Sequence, residues 1–312
     1  MKKISIIIPC YNEEENIISI TNAVVSVLEN RLSGYDYEII ISDNCSKDNT
    51  RVLIREICEK NRKIKAIFNM RNFGPDNSRN NAYFSAAGDC SIIVFANFQN
   101  PPELIPAFVR EWEAGYKFVA AVKIDSKENK IILLIRRLYH KIIRMVSDIE
   151  QIENYTGYAL FDKQIIDIMR SLNDPLLHTH SVPADLGFKR KEIPYIQPAR
   201  RSGKSKYNFY RHYETAARAF TSYTNTGLRI ATITGFICAA ISFFIAVGYF
   251  IYKLFNRDAP GTAPVIGGIF ILSSLQLFLM GFIGEYIMAI NTRLINRPVV
   301  VEEERINFDE AK

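Results

Sequence analysis

The chain has 312 residues, a net charge of +6 and 48% hydrophobic residues, which allows one large domain or two small ones. No nucleic-acid-binding motif accompanies the basic residues, so nucleic acid is not an expected partner. Five cysteines without CxxC spacing exclude a zinc site of that type and predict reduced thiols in a cytoplasmic domain. The opening MKKISIIIPCYNEE has a four-residue apolar run followed by acids, so it is not expected to be a signal peptide.

The first half of the chain alternates short apolar runs with segments of helical periodicity. The predicted strands are residues 4–8, 37–42, 64–68, 90–95 and 118–123. The predicted helices are residues 13–28, 49–61, 75–87 and 102–115. This alternation predicts an α/β domain with a mostly parallel sheet, whose ligands bind at the carboxyl ends of the strands.

Two long apolar segments follow: residues 230–252 carry no charge, and residues 265–290 carry only Glu285. At about 1.5 Å per residue the first reaches about 35 Å, enough for a hydrocarbon core of about 30 Å. They predict two transmembrane helices, with a pair of buried core helices as the alternative. Flanking Lys and Arg residues place the head, 1–228, and the tail, 291–312, in the cytoplasm. Together, the two spans and the loop between them form a predicted membrane domain over residues 229–290.

Two further segments are candidates for lying on the membrane surface. Residues 131–145 combine an apolar face with four basic residues, and a helix packed on the sheet is the alternative there. Residues 207–226 carry aromatic and basic side chains just before the first span. Small residues of the second span leave self-association into a homo-oligomer open: Gly267, Gly268, Ser273 and Ser274.

Polar motifs follow the predicted strands, and they resemble those of family 2 glycosyltransferases of the polyprenyl-phosphate (dolichol- or undecaprenyl-phosphate) type. Residues 38–50, EIIISDNCSKDNT, resemble the family pattern EIIVVDDGSTDGT. Residues 69–89 resemble its N-x-G-x-x-x-A stretch, and residues 199–207, ARRSGKSKY, its R-x-x-G-x-S-K-Y loop. The resemblance runs from Lys3 to about Phe308 and is strongest to bacterial members with two spans.

The resemblance implies a GT-A-like head that transfers a sugar from a UDP- or GDP-hexose to polyprenyl (undecaprenyl) phosphate. Such an enzyme is a multi-pass protein of the bacterial inner membrane, works in cell-envelope glycan synthesis or modification, and has the nucleotide sugar, the lipid phosphate and the membrane as partners. The implied donor-binding residues are Pro9, Tyr11, Glu13, Asp43, Asn72, Gly74, Asn97 and Gln99. The implied catalytic residues are Arg200, Ser205 and Lys206 of the basic loop, together with His180.

Other polar residues favour structural roles. Ser46 and Asp48 are typical of a cap on the following helix, and Asp162 of a cap on a helix over residues 163–172. Arg79 is interpreted as an exposed surface arginine, with phosphate binding as the alternative. A phosphate acceptor is already anionic near neutral pH, so a strong general base is dispensable.

Residues 95–103, FANFQNPPE, depart from the family pattern DADLQDPPE, whose aspartates hold Mg²⁺ or Mn²⁺. Phe95, Asn97 and Asn100 replace the three aspartates. Asn97 and Gln99 keep amide oxygens, which are poor Mg²⁺ ligands without a carboxylate. Three alternatives stay open: a metal-independent enzyme, an enzyme that recruits another carboxylate such as Asp89, or a catalytically degenerate donor- or lipid-binding partner protein.

Overall fold

The computed structural model of the protein describes residues 1–124, 152, 154–172, 174–175, 177, 179, 182–198, 226–255, 262–294 and 298–308. The segment 131–145, nearly all of 207–226, and the predicted catalytic residues lie outside that range: His180, Arg200, Ser205 and Lys206. The chain forms two compact units. One contains residues 1–140, 149–206 and 297–312, and the other contains residues 141–148 and 207–296.

The first unit is built on an eight-stranded sheet with the strand order β7-β5-β6-β4-β1-β2-β3-β8. The strands are β1 Lys3–Cys10, β2 Asp36–Asp43, β3 Ile64–Asn69, β4 Cys90–Ile93, β5 Phe118–Lys123, β6 Tyr155–Asp162, β7 Arg190–Tyr195 and β8 Glu302–Ile306. The helices are α1 Ile17–Arg31, α2 Thr50–Lys60, α3 Pro75–Phe84, α4 Ile105–Glu113, α5 Lys163–Leu172 and the short α6 Val182–Asp185, with a 3₁₀ turn, Pro102–Leu104, before α4.

Strands β4, β1, β2 and β3 are parallel neighbours, which confirms the α/β fold with a mostly parallel sheet. Alternating residues of β1 face opposite sides: Ile6 and Ile8 belong to one hydrophobic cluster and Ile7 to the other. Because both faces are covered, the central strands are continuous apolar runs. Strands β6 and β8 run antiparallel to β4 and β3, respectively.

The structure adds three strands that the sequence analysis did not predict, β6, β7 and β8. Strands β7 and β8 read RKEIPY and EEERI, so their charged residues hide the alternation expected of a strand. Helix α1 begins at Ile17, four residues after the predicted start at Glu13, because Glu13 lies in a turn whose carbonyl accepts the Asn16 and Ile17 N–H groups. The predicted cap on α5 is confirmed, since Asp162 Oδ1 accepts the Gln164 N–H at 2.9 Å.

Gly88 lies where the chain passes tightly against β1 at the amino edge of the sheet. Its N–H donates to Ser5 Oγ at 2.9 Å, and an added Cβ would lie 2.5 Å from Ser5 Oγ, 2.8 Å from Ser5 N and 2.9 Å from Lys3 O. We expect Gly88→Ala to lower the free energy of unfolding by about 1–3 kcal/mol, because backbone atoms must move to admit the methyl group.

The single tryptophan, Trp112, is buried in this unit and reports its unfolding by fluorescence in urea titrations of the full chain. Gly34→Ala is the matched control, since nothing lies within 4 Å of a Cβ added there. Equal urea midpoints for the two variants would contradict the packing argument.

The second unit contains two long helices, α7 Thr226–Phe255 and α8 Thr262–Leu294. Among the side chains that the structure describes, large apolar ones are exposed along both helices, including Phe236, Phe244, Leu277 and Met280. By length and composition, Leu272–Leu294 can cross a membrane, and a shorter apolar stretch, Ile233–Ser242, lies in α7. An extended exposed apolar surface of this kind is typical of a membrane or protein contact.

Candidate nucleotide-sugar site

The predicted donor-binding residues meet at one edge of the sheet. From β1 the chain adds β2 and β3 on one side of the sheet and then returns to add β4 on the other side of β1. The crevice at the carboxyl ends of β1 and β4 is therefore the expected ligand site of this architecture. Loops leave the sheet there after β1, β2, β3 and β4. Pro9 lies near the end of β1, and the loop after β1 carries Tyr11 and Glu13. Asp43 is the last residue of β2. The loop after β3 carries Asn72 and Gly74, and the loop after β4 carries Asn97 and Gln99.

The loops after β1 and β2 are fastened to each other by hydrogen bonds. The Asn12 N–H donates to Ser46 Oγ at 2.8 Å, and the Lys47 N–H returns a bond to Asn12 Oδ1 at 2.8 Å. The Glu13 N–H donates to Thr50 Oγ1 at 2.8 Å. Ser46 therefore joins two loops instead of capping α2, whereas Asp48 Oδ1 does accept the Thr50 N–H in the first turn of α2. These hydrogen bonds hold the two loops together at the carboxyl edge of the sheet.

Asp43 is the fully buried carboxylate of this pocket. Both of its oxygens receive the Ser46 N–H, at 3.3 and 3.1 Å, and Oδ2 lies 3.6 Å from Arg51 Nε. Burial raises the pKa of the Asp43 carboxyl above its ordinary value, while the bonds from Ser46 and the charge of Arg51 oppose that rise. Arg51 was not singled out in the sequence, because only the helical turn that follows β2 brings it to Asp43.

A network of neutral amides lies beside Asp43 and was also missed in the sequence. Asn44 Nδ2 donates to Asn72 Oδ1 at 3.1 Å, and Asn44 Oδ1 accepts the Phe73 N–H at 3.0 Å and Asn69 Nδ2 at 3.2 Å. Asn72 Oδ1 also accepts the Gly74 N–H at 3.0 Å. The network fixes the loop in which Gly74 adopts a φ of 90°, a value that favours glycine. Asn44, where the family has aspartate, thus has a structural role.

Two amide side chains of the loop after β4 bond to each other. Asn97 Nδ2 donates to Gln99 Oε1 at 2.8 Å, and the Gln99 N–H donates to Asn97 Oδ1 at 3.1 Å. Asn100 is buried and its Oδ1 accepts the Phe95 N–H at 3.4 Å, while the Phe95 side chain packs on the second hydrophobic cluster. Asn97 and Gln99 are thus neutral and hydrogen-bonded to each other, and the loop lacks the negative charge that aspartates at positions 95, 97 and 100 would supply.

Asp89 does not join Asn97 and Gln99, so the proposal that it is recruited as a metal ligand is corrected. It precedes β4, whereas Asn97 follows it, and the four residues of β4 alone span about 13 Å. Asp89 Oδ2 accepts the Lys3 N–H at 2.8 Å at the amino edge of the sheet. Across the described part of the chain, no three His, Cys, Asp or Glu side chains are grouped as metal ligands. The residues of this loop do not fit a divalent metal.

Arg79 is buried, with 6% of its surface exposed, so its interpretation as an exposed surface arginine is wrong. Its Nη2 donates to Asp76 Oδ1 and to Thr179 Oγ1, both at 2.8 Å, and the next residue, Asn80, donates to the Leu177 carbonyl at 3.1 Å. These bonds hold Leu177 and Thr179 against α3. Helix α3 starts at Pro75, directly after the Gly74 turn of the site.

A mostly parallel α/β sheet with polar residues at the carboxyl ends of its strands is an architecture in which ligands bind at the switch point. Residues 5–168 match glycosyl transferase family 2, and the chain belongs to that family. A prophage-derived bactoprenol glucosyl transferase of Shigella flexneri is 28% identical over 298 residues, covering 95% of this chain and 96% of the relative. An uncharacterized glycosyltransferase of Synechocystis is 27% identical over 300 residues, covering 95% and 93%.

Among solved structures, the mannosyltransferase PcManGT from Pyrobaculum calidifontis, in complex with GDP-Man and Mn²⁺, is similar with a TM-score of 0.49 and 15% identity. The similarity covers 95% of this chain and 88% of that one.

Proposed function

We propose that this protein transfers a hexose from a nucleotide-diphosphate sugar to a polyprenyl phosphate, and that it does so without a divalent metal at the loop of residues 95–103. The observation that carries the proposal is the similarity to the relative named bactoprenol glucosyl transferase. That similarity covers 95% of this chain, whereas the match to the family model covers only residues 5–168. The pocket with Asp43, Tyr11 and Gly74 supports a nucleotide donor at the sheet edge.

The reaction is a direct displacement at the anomeric carbon. An oxygen of the anionic lipid phosphate forms the new bond to this carbon, and the bond to the donor diphosphate breaks, so the nucleoside diphosphate leaves with the electron pair. No proton has to be removed from the acceptor, which removes the need for a strong base. The remaining requirement is stabilisation of the charge that develops on the leaving diphosphate.

Cationic side chains are the proposed source of that stabilisation. In the loop after β4, Asn97 and Gln99 are neutral and hydrogen-bonded to each other, and the carboxylate of Glu103 is exposed. Arg200, Ser205 and Lys206 supply two positive charges and further donors, and guanidinium groups bind phosphate oxygens in pairs. His180 is a second phosphate ligand in this proposal.

Membrane attachment brings the acceptor to the head. We propose that residues 230–252 and 265–290, within α7 and α8, both span the bacterial inner membrane with head 1–228 and tail 291–312 on the cytoplasmic side. The exposed apolar side chains of both helices support this arrangement. Residues 131–145 and 207–226 are proposed to lie at the membrane surface, where the lipid phosphate is presented. The benefit is proximity and orientation of the acceptor.

The test uses purified full-length protein in lipid, with radiolabelled UDP- and GDP-sugars and undecaprenyl phosphate. We expect sugar–lipid product from one donor, with a rate that changes less than about twofold between excess EDTA and added Mg²⁺ or Mn²⁺, because the three aspartate positions of the family motif carry no carboxylate here. A matched variant, Phe95→Asp/Asn97→Asp/Asn100→Asp, tests the loop itself.

If the parent shows no transfer and the triple variant shows metal-dependent transfer, the parent is a catalytically degenerate, donor-binding protein. A parent that is active only with added metal would overturn metal independence while leaving the transferase in place. Absence of transfer from every donor, with or without metal, would overturn the proposed reaction.

A further inference from the structure

The C-terminal strand β8 closes one edge of the sheet and contacts α2. It pairs antiparallel with β3, with Phe68 opposite Glu304 and Asn69 opposite Glu302, so Glu303 is an extra residue in a β-bulge. The bulge turns consecutive glutamates, Glu303 and Glu304, toward the same helix. Glu303 Oε2 lies 2.7 Å from Arg51 Nη2, and Glu304 Oε2 lies 2.6 Å from Arg55 Nη2.

Further contacts hold β8 in this register. The Met70 N–H donates to the Val301 carbonyl at 3.0 Å, Asn81 Nδ2 donates to Glu302 Oε1 at 2.6 Å, and Asn307 Nδ2 donates to the Cys58 and Ile64 carbonyls at 2.8 Å. These bonds reach β3, α2 and α3. The bulge is therefore fixed from both sides of the sheet.

Arg51 connects this strand to the nucleotide pocket. One side of its guanidinium meets Glu303, and its Nε lies 3.6 Å from Asp43 Oδ2. The group also lies over the Phe68 ring, with its carbon 5.0 Å from the ring centroid. A planar guanidinium held at one edge by a carboxylate and on one face by a ring has little freedom to rotate. Its Nε is thereby kept close to Asp43 Oδ2.

Arg51 is the cation that balances Asp43 in the described residues. The other ionisable group in contact is the Cys10 thiol of β1, whose Sγ lies 3.9 Å from Asp43 Oδ1, with Glu13 and Asp48 of the two loops acting on that thiol. On the α2 side, Arg55 and Glu304 form the neighbouring pair. Because Cys10 is neutral and Glu13 and Asp48 are acids, Arg51 supplies the positive charge that, together with the hydrogen bonds from Ser46, offsets the cost of burying the Asp43 charge.

We propose that β8 is a positioning element of the donor site, in which Glu303 orients Arg51 so that Asp43 stays ionised and able to accept a hydrogen bond from the nucleotide base. The inference rests on the proposed function, because it assigns Asp43 to the donor. Glu303 and Arg51 are positioning residues, and neither touches the reacting atoms.

The experiment compares kcat/KM for the donor across pH, at saturating polyprenyl phosphate, in the full-length protein. In Arg51→Met we expect the acid limb of the profile to move to higher pH, because without the cation the burial of Asp43 is opposed only by its hydrogen bonds. In Glu303→Gln we expect a smaller move in the same direction, with the donor KM raised about 2–5-fold on the acid side and kcat unchanged. Glu304→Gln is the matched control, a neighbouring glutamate of the same strand whose arginine does not reach Asp43.

Glu303 is half-exposed, so Glu303→Gln should fold, and Trp112 fluorescence verifies this. If its pH profile superimposes on that of the parent, or if Glu304→Gln shifts equally, β8 does not position the site and the inference is overturned. An inactive parent that also fails to bind UDP and GDP in calorimetry would instead overturn the proposed function, together with the inference resting on it.

Discussion

Arg200→Ala is expected to lower kcat for sugar transfer by about 10²–10³-fold while the protein stays folded and membrane-bound. With neutral Asn97 and Asn100 where the family has aspartates, the departing diphosphate depends on cationic donors, and removing one preorganised donor to a developing anion costs about this much. Lys206→Ala should act in the same direction, with a smaller loss because an ammonium does not bind two phosphate oxygens in a fixed fork.

The basic loop contains its own control. Lys204 lies between the motif positions, so Lys204→Ala removes one positive charge from the same segment without removing a motif residue. Single-turnover rates at saturating donor separate a loss in the chemical step from weaker binding. Equal losses in Arg200→Ala and Lys204→Ala would show that the loop acts only through its overall charge.

Glu38→Gln is expected to destabilise the first unit by about 3–5 kcal/mol, the range for removing one member of a buried ion pair. Glu38 is 1% exposed. Its Oε1 accepts Ser5 Oγ–H at 2.6 Å and the Ala87 N–H at 2.7 Å, and its Oε2 lies 2.8 Å from Lys65 Nζ. The substitution leaves the Lys65 ammonium, 14% exposed, without its partner. Urea titration of the full chain, followed by Trp112 fluorescence, measures the loss.

The same carboxylate predicts a pH dependence. Burial by itself raises the pKa of Glu38, but hydrogen bonds from Lys65, Ser5 and the Ala87 N–H bring it below the ordinary value of 4.5. Because the folded pKa is depressed, the contribution to stability is complete above about pH 4.5 and is lost as the pH falls through the folded pKa. The difference in unfolding free energy between parent and Glu38→Gln should therefore shrink below pH 4.5.

Two variants make this result specific. Glu38→Gln/Lys65→Met removes this pair, leaves only the more exposed Lys3 ammonium, which lies 3.4 Å from Glu38 Oε2 in the parent, and should recover part of the stability, since an uncompensated buried charge is the main cost. Glu113→Gln breaks a pair with Lys2 in which both side chains are largely solvent-accessible, and it should leave the urea midpoint nearly unchanged. A pH-independent effect of Glu38→Gln would show that packing, not charge, dominates at this position.

The central strands and most helices could be predicted because their apolar periodicity is local. Residues 118–123 were predicted as a strand with the observed limits, and the loops after the first four strands were expected at one edge because parallel strands end together. The pattern failed for β7 and β8, whose strand character comes from pairing with β5 and β3. It also failed for Arg79, because burial of a charged residue depends on Asp76 and Thr179, the latter 100 residues away in the sequence.

The sequence by itself determined the α/β order, the long apolar segments and the missing aspartates at Phe95, Asn97 and Asn100, since each is a local property of residue type and spacing. Only the tertiary structure decided that Asn97 and Gln99 satisfy each other, that Asp89 lies at the opposite edge, and that Glu303 reaches Arg51 across 252 residues. The physical reason is that hydrogen bonds and ion pairs depend on distances of about 3 Å in space, which the linear order of residues does not specify.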